Sequence, residues 1–152
     1  MQYPPEWQLG EPLADGTGVT LYLPVPKSQM TLSGFLNMVE GTSQDGRQTI
    51  AEFAKAHRRI IQELYDKKTI SLKWEREHTV TLGGQPAVQL TFSYRDEDQA
   101  EIIEFHIFSV GRNEGRGVRI KLPASERAAL MPVISQILQS YDPGRNQDAV
   151  SP

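Results

Sequence analysis

The sequence predicts a small α+β domain, and three stretches carry that prediction. Between Lys73 and Leu122 apolar and polar residues alternate with period two, and glycine turns close two of the strands, the pattern of antiparallel strands. Upstream, Thr49 and Glu52 stand three residues apart ahead of a helical apolar stripe, the signature of a capping box. Downstream, Val133, Ile134, Ile137, Leu138 and Tyr141 repeat at helical spacing.

Taken in order, Tyr3-Pro4-Pro5-Glu6-Trp7 reads as an extended edge segment, because two prolines cannot donate to a central ladder and the aromatics can pin it to the body. Leu9 to Gly18, rich in glycine, proline and acid, reads as a loop. Val19, Leu21 and Leu23 alternate with Thr20 and Tyr22 in a strand that Pro24 and Pro26 end. Gly34 to Glu40 is apolar at Phe35, Leu36, Met38 and Val39, as expected of a strand covered on both faces and lying inside the sheet.

After a polar loop from Gly41 to Gln48, Thr49 caps a helix whose buried stripe is expected at Ile50, Phe53, Ala54, Ile60, Ile61, Leu64 and Tyr65. Asp66, Lys67 and Lys68 close it, the lysines meeting the negative end of the helix dipole. Ile70, Leu72 and Trp74 begin a strand that runs on, or restarts after a break, through Val80 and Leu82 to the turn Gly83-Gly84. The return strand places Val88, Leu90, Phe92 and Tyr94 on one face and Ala87, Gln89, Thr91 and Ser93 on the other. A charged turn from Arg95 to Gln99 leads to the longest strand, Glu101 to Val110. Gly111 to Gly117 turns into the last strand, with Val118, Ile120 and Leu122 alternating with Arg119 and Lys121. Proline inside a helix costs about 3 kcal/mol but nothing at the first helical position, so the final helix is predicted from Pro132 to Tyr141, after a separate helical turn at Ser125 to Leu130. Residues 142–152 hold one lone Val150 and are expected to be a disordered tail, leaving residues 1–141 as a single domain.

A chain of 152 residues, 38% hydrophobic and 23% charged, can bury one core without disulfides, and it has no cysteine to form them. No apolar run approaches the roughly 18 residues needed to cross a bilayer, so no transmembrane segment is expected. The net charge of −3 offers no long-range attraction to phosphate backbones, which argues against a nucleic-acid partner. Met1 is followed by neither a basic leader nor an apolar signal core, so the expected location is cytoplasmic, or exported with a leader removed.

Catalytic motifs are missing. The serines form no G-x-S-x-G elbow and the glycines no phosphate loop. His57, His78 and His106 have no second ligand-type residue at zinc-site spacing, so no metal and no cofactor is expected. His57 lies on the helix stripe and reads as a hydrogen-bonded core or boundary histidine. Arg58 and Arg59 read as part of a solvated face shared with Glu52, Glu63 and Asp66. Glu104 and His106, two residues apart on one strand face, form the one pair with catalytic chemistry, since the carboxylate could orient the ring or raise its pKa. Nothing ties a nucleophile to them. The remaining pattern is a polar sheet face: strands that bury apolar residues on one side place Lys73, Gln89, Thr91, Ser93, Glu104, His106, Arg119 and Lys121 on the other, where a partner could bind.

The opening Tyr3-Pro4-x-x-Trp7, the segment Gly84-Gln85-Pro86-Ala87-Val88-Gln89-Leu90 and the ending Ile137-Leu138-Gln139-Ser140-Tyr141 resemble the superfamily of PsbP photosystem accessory proteins, Mog-type Ran-binding proteins and bacterial DcrB-like domains. The resemblance spans most of residues 3–141. It implies an antiparallel sheet flanked by helices on both sides, an α/β/α sandwich, in a protein that binds other proteins rather than catalysing a reaction. The expected partner is a protein, with a second copy of this chain in a homodimer as an alternative. The DcrB-like branch further resembles chaperones for hydrophobic segments of type VI secretion effectors, which would require an apolar groove. The expectation is therefore a non-enzymatic protein-binding or accessory domain. Its rivals are such a chaperone and a small enzyme using Glu104 and His106.

Overall fold

The computed structural model describes residues 4–12, 18–36, 49–82, 84–110 and 114–140. In chain order it holds β1 (Gln8–Pro12), β2 (Gly18–Tyr22), β3 (Gln29–Leu36), α1 (Ile50–Lys67), β4 (Lys73–Trp74), β5 (His78–Leu82), β6 (Gln85–Arg95), β7 (Glu101–Val110) and β8 (Glu114–Pro123). A single 3-10 turn (Ala124–Glu126) then leads into α2 (Arg127–Ser140). The strands pair antiparallel in one sheet of order β1-β2-β3-β8-β7-β6-β4, with β5 also on β6. The chain leaves the sheet after β3, crosses as α1, re-enters at the far edge as β4, and fills back strand by strand until β8 pairs with β3.

Strand periodicity sends the two faces to different helices. Leu21, Met30, Leu32, Ile103, Phe105, Ile107, Val118, Ile120 and Leu122 form the main core with Ile134 and Ile137 of α2, and Trp7 joins it from the chain's opening segment. On the opposite face α1 lies over β6 and β7 in two clusters, Ala54 with Val88, Leu90 and Phe108, and Ile61 with Phe92, Tyr94 and Ile102. This is the α+β sandwich with a helix on either side of the sheet.

Helix α1 begins where the capping box places it: Glu52 N–H donates to the Thr49 hydroxyl (3.1 Å) and the Thr49 N–H to the Glu52 carboxylate (3.1 Å). At the turn between β5 and β6, Gly84 takes φ +79°, a left-handed conformation that costs a Cβ-bearing residue but not glycine.

Several expectations are corrected. Gln8 to Pro12 is an edge strand rather than loop, since Leu9 pairs with Leu21 and a bulge before Pro12 accommodates a residue without an amide donor. The second strand starts at Gln29, five residues earlier than expected, because the turn at Val25–Ser28 folds the chain back so that Gln29 pairs with Tyr22. The last strand starts at Glu114, inside the predicted turn. The strand after α1 restarts after a break, as β4 and β5. Pro132 sits inside α2 rather than at its start. It and Ala128, whose carbonyl loses its amide partner, are both exposed, so the freed oxygen lies on the wet side of the helix. The α1–α2 layering leaves Ile60 and Leu64 half-exposed, at 50% and 51%, against the expectation that both are buried. Expectations for Tyr3, residues 13–17, 37–48 and 111–113, Gly83, Tyr141 and the tail lie outside the described residues.

Because Ile61 is buried against Phe92 and Ile102 while Leu64 is not, Ile61→Ala should cost about 2–5 kcal/mol and Leu64→Ala no more than about 0.5 kcal/mol. Urea unfolding of the two variants checks this; equal losses would mean that α1 is rotated from this position.

Candidate functional site

The eight residues expected on one polar face do not share a face. Strand β6 pairs with β7 so that Leu90 opposes His106 and Phe92 opposes Glu104, and β8 then sets Arg119 beside His106 and Lys121 beside Glu104. Glu104, His106, Arg119 and Lys121 therefore face α1. Gln89, Thr91 and Ser93 fall on the α2 side, opposite Ile107, Phe105 and Ile103, and Lys73, paired with Ser93, projects at that side's edge. Thr91 and Ser93 are buried there, and Gln89 donates to the Thr91 hydroxyl (3.2 Å). Small hydroxyl side chains enter a core when a partner accepts or donates, so polarity alone misassigned that face.

Under α1 the polar residues form one network. Glu104 has no exposed surface, and four side chains donate to it. Its Oε2 accepts from the hydroxyls of Tyr65 on α1 (2.6 Å) and Tyr94 on β6 (2.5 Å). Its Oε1 accepts from His106 Nε2 (3.1 Å) and from Arg119 through Nε and Nη2 (both 2.8 Å). An ionised carboxylate only accepts, which makes His106 Nε2 the protonated nitrogen. Nδ1 of the neutral ring then accepts from His57 Nε2 on α1 (2.9 Å). Phe53, Phe92 and Phe108 pack around the two imidazoles.

The electrostatics follow from that arrangement. Burial opposes the charge on Glu104, but the His106 hydrogen bond, the Arg119 guanidinium and the two tyrosine hydroxyls outweigh it and hold the carboxyl at about 2. Burial, then the neighbouring His106 and Arg119, lower His57 to about 4. Burial also lowers His106, exceeding the upward pull of Glu104. Burial and the Glu104 hydrogen bond push Tyr65 up to about 12 and move Tyr94 in the same direction. The site is thus one anion with four donors and two neutral imidazoles. Such a chain can carry a proton between rings, but the carboxylate it ends on is closed to solvent.

Sequence reasoning found Glu104 and His106 but missed Tyr65, Tyr94 and the His57 contact. The usable signal was a carboxylate in the middle of the most apolar strand, which demands buried donors, and two tyrosines on buried stripes whose hydroxyls need acceptors.

Arg119 spans the boundary of the covered region. Its guanidinium reaches Glu104, while its side chain is 49% exposed. Beyond it, on the α1 side of β8, β3 and β2, lie Lys121, Gln29, Thr31, Thr20 and Tyr22. The two threonine hydroxyls bond each other (3.2 Å), and Tyr22 lies over Gly10 of β1, where a Cβ would come within 2.6 Å of the ring. The apolar clusters of α1 draw their sheet residues from β4, β6 and β7, so this half of the face is not covered by the helix. At 100° per residue, Ile60 and Leu64 lie on the flank of α1 away from Trp74, towards β8. Among the described residues no group of three or more His, Asp or Glu could hold a metal, and no helix is long and apolar enough to cross a membrane.

Removing the Glu104 carboxylate leaves two tyrosine hydroxyls and His106 Nε2 without an acceptor, so Glu104→Ala should cost about 3–5 kcal/mol, and a loss below about 1 kcal/mol would show the network to be dispensable. Stability should also fall with acid. The unfolded chain protonates His57 first, at its ordinary 6.5 rather than about 4, and Glu104 first, at 4.5 rather than about 2, so each contribution is present above the unfolded value and lost below it. Urea midpoints should drop between pH 6.5 and 4 and again towards 2, and His57→Phe should shrink the upper drop. A wild-type midpoint unchanged from about pH 7 to about pH 4 would mean that the imidazoles are not held neutral.

No protein-family model and no curated protein sequence matches the chain. Solved structures do. PA94 from Pseudomonas aeruginosa, a protein of unknown function described as a candidate regulator, aligns over 91% of this chain and 97% of its own with TM-score 0.58 and 15% identity. Cyanobacterial PsbP (CyanoP) from Synechocystis sp. PCC 6803 aligns over 91% of this chain and 81% of its own, with TM-score 0.61 and 11% identity. LpqN of Mycobacterium tuberculosis, involved in cell envelope biogenesis, aligns over 92% and 79%, with TM-score 0.50 and 18% identity. At these identities the likeness concerns the backbone: the chain has the PsbP-like fold.

Proposed function

We propose that the chain is a non-enzymatic accessory domain that binds a protein partner across the open half of its α1-side face. The observation that carries this reading is the exposure of Ile60 and Leu64, two stripe residues of an amphipathic helix, beside a sheet floor that the helix does not cover. The proposed groove runs between this apolar wall and, among the described residues, a floor of hydroxyl, amide and cationic groups from Thr20, Tyr22, Gln29, Thr31, Arg119 and Lys121. Apolar area beside satisfiable polar groups is the usual make-up of a protein interface. Of the residues expected at a binding face, Arg119 and Lys121 belong to this surface. The descriptions of the like-folded proteins, a PsbP protein, a candidate regulator and a cell-envelope biogenesis protein, name no reaction.

A rival enzyme on Glu104 and His106 has less in its favour, because a general acid or base must reach its substrate and both Glu104 oxygens are engaged by buried donors. The chaperone reading draws on the same apolar wall. It differs in the partner, which would be an unfolded or membrane-destined hydrophobic segment.

The double variant Ile60→Glu/Leu64→Glu should abolish capture of the physiological partner while leaving the unfolding midpoint close to wild type, because both side chains are already half in water. Ser135→Glu/Gln136→Glu, on the exposed side of α2, should leave capture intact. Equal capture by all three proteins would reject the groove. A turnover that disappears in His106→Ala would reject the non-enzymatic reading. Saturable binding of an isolated hydrophobic helix peptide, lost in the first variant, would move the assignment to the chaperone.

A further inference from the structure

The other flank of α1 carries a second surface of different chemistry. There, between the helix and the edge strand β4, lies an open depression of about 310 Å³ lined by Lys55, Arg58, Arg59, Gln62, Glu63 and Trp74. Trp74 makes its floor: the indole Nε1 donates to Gln62 Oε1 (2.8 Å), its ring packs on Phe92, and the Arg58 guanidinium sits 4.6 Å above it. Lys55, Arg58 and Arg59 bring three positive charges to a chain of net charge −3, and among the described residues none of them is in an ion pair. Glu63 also lines the depression, one helical turn from Arg59, but forms no ion pair with any of the three. Three cations against one carboxylate leave an excess of positive charge on this surface, which an anionic partner offsets.

Spacing narrows the partner. Lys55 and Arg59 are one helical turn apart, about 6 Å along the axis, and side chains two residues apart on one face of an extended strand are separated by about 6.6 Å. Strand β4 ends the path of the sheet, so among the described strands its outer backbone edge is unpaired and can align an extended chain. We propose that this depression receives an extended acidic segment of a partner protein, with carboxylates two residues apart at Lys55 and Arg59 and the Arg58 guanidinium, held over Trp74, beside them. The proposal is independent of the groove beside Ile60 and Leu64, which lies on the opposite flank of the helix.

The test is a titration of the full chain, followed by tryptophan fluorescence and calorimetry, with a short blocked peptide alternating glutamate and valine. Parallel titrations use the glutamine-for-glutamate peptide, inorganic phosphate, and phosphatidylglycerol vesicles. The acidic peptide should bind saturably and weaken as salt rises from about 0.05 M to about 0.5 M, because the charges are exposed and screened. Lys55→Gln and Arg59→Gln should each weaken it about two- to five-fold, and more in combination, with unchanged unfolding midpoints. The Ile60→Glu/Leu64→Glu variant should bind the peptide as wild type does, which separates failure of this surface from failure of the groove. Absence of saturation, equal affinity for the glutamine peptide, or no loss in the double Lys55→Gln/Arg59→Gln variant would overturn the proposal. So would tighter binding of phosphate or vesicles than of the acidic peptide.

Discussion

Glu104 places a negative charge beneath a helix, and the arrangement around it depends on keeping that charge ionised. An isolated carboxylate moved out of water loses several kcal/mol of solvation, and only well-placed donors and a counter-charge return it. Here the donors come from four elements: Tyr65 from α1, Tyr94 from β6, His106 from β7 and Arg119 from β8. All four depend on the one carboxylate for their acceptor. The network therefore does what apolar packing alone does poorly, fixing where along and across the sheet the helix sits.

That position has consequences on both flanks of α1. Anchored over β6 and β7, the helix does not itself pack on the β8-β3-β2 half of its side, and among the described residues two of its apolar side chains on that flank stay half-exposed. On the other flank it overhangs the short edge strand β4 and brings three cations round Trp74. The opposite face of the sheet is closed by α2, whose start is tied to the β4–β5 connection by the paired bonds of Arg127 to Glu75 (2.8 and 3.1 Å). Exposed apolar and cationic groups thus lie at the margins of α1, while the ionisable groups between helix and sheet are buried in one hydrogen-bonded network.

Much of this fold is written locally. The Thr49–Glu52 capping box, the Asp96 turn between β6 and β7, and the long alternation from Glu101 to Val110 each depend on neighbours within a few residues, and each appears where the sequence predicts. The errors share another origin. Pro132 entered a helix because α2 turns that residue and Ala128 to solvent, and Gln8–Pro12 became a strand because β2 was there to pair with it. Neither circumstance exists in the local sequence. The candidate site divides in the same way: Glu104 and His106 stand two residues apart and are visible as a pair, whereas Tyr65, Tyr94, Arg119 and His57 reach them from 10 to 49 positions away.

From the sequence alone came the class of fold, the start of α1 set by its capping box, and which residues alternate along β2, β6 and β7. Period and capping are short-range properties, fixed by backbone geometry and the nearest side chains. Tertiary structure decided which face of one strand meets which face of the next. A one-residue change of register exchanges the faces, and the pairing of Leu90 with His106 put the carboxylate under α1 and the threonine and serine of β6 under α2. It also decided which side of the amphipathic helix stays open, because that depends on the width of the sheet beneath it rather than on the stripe itself.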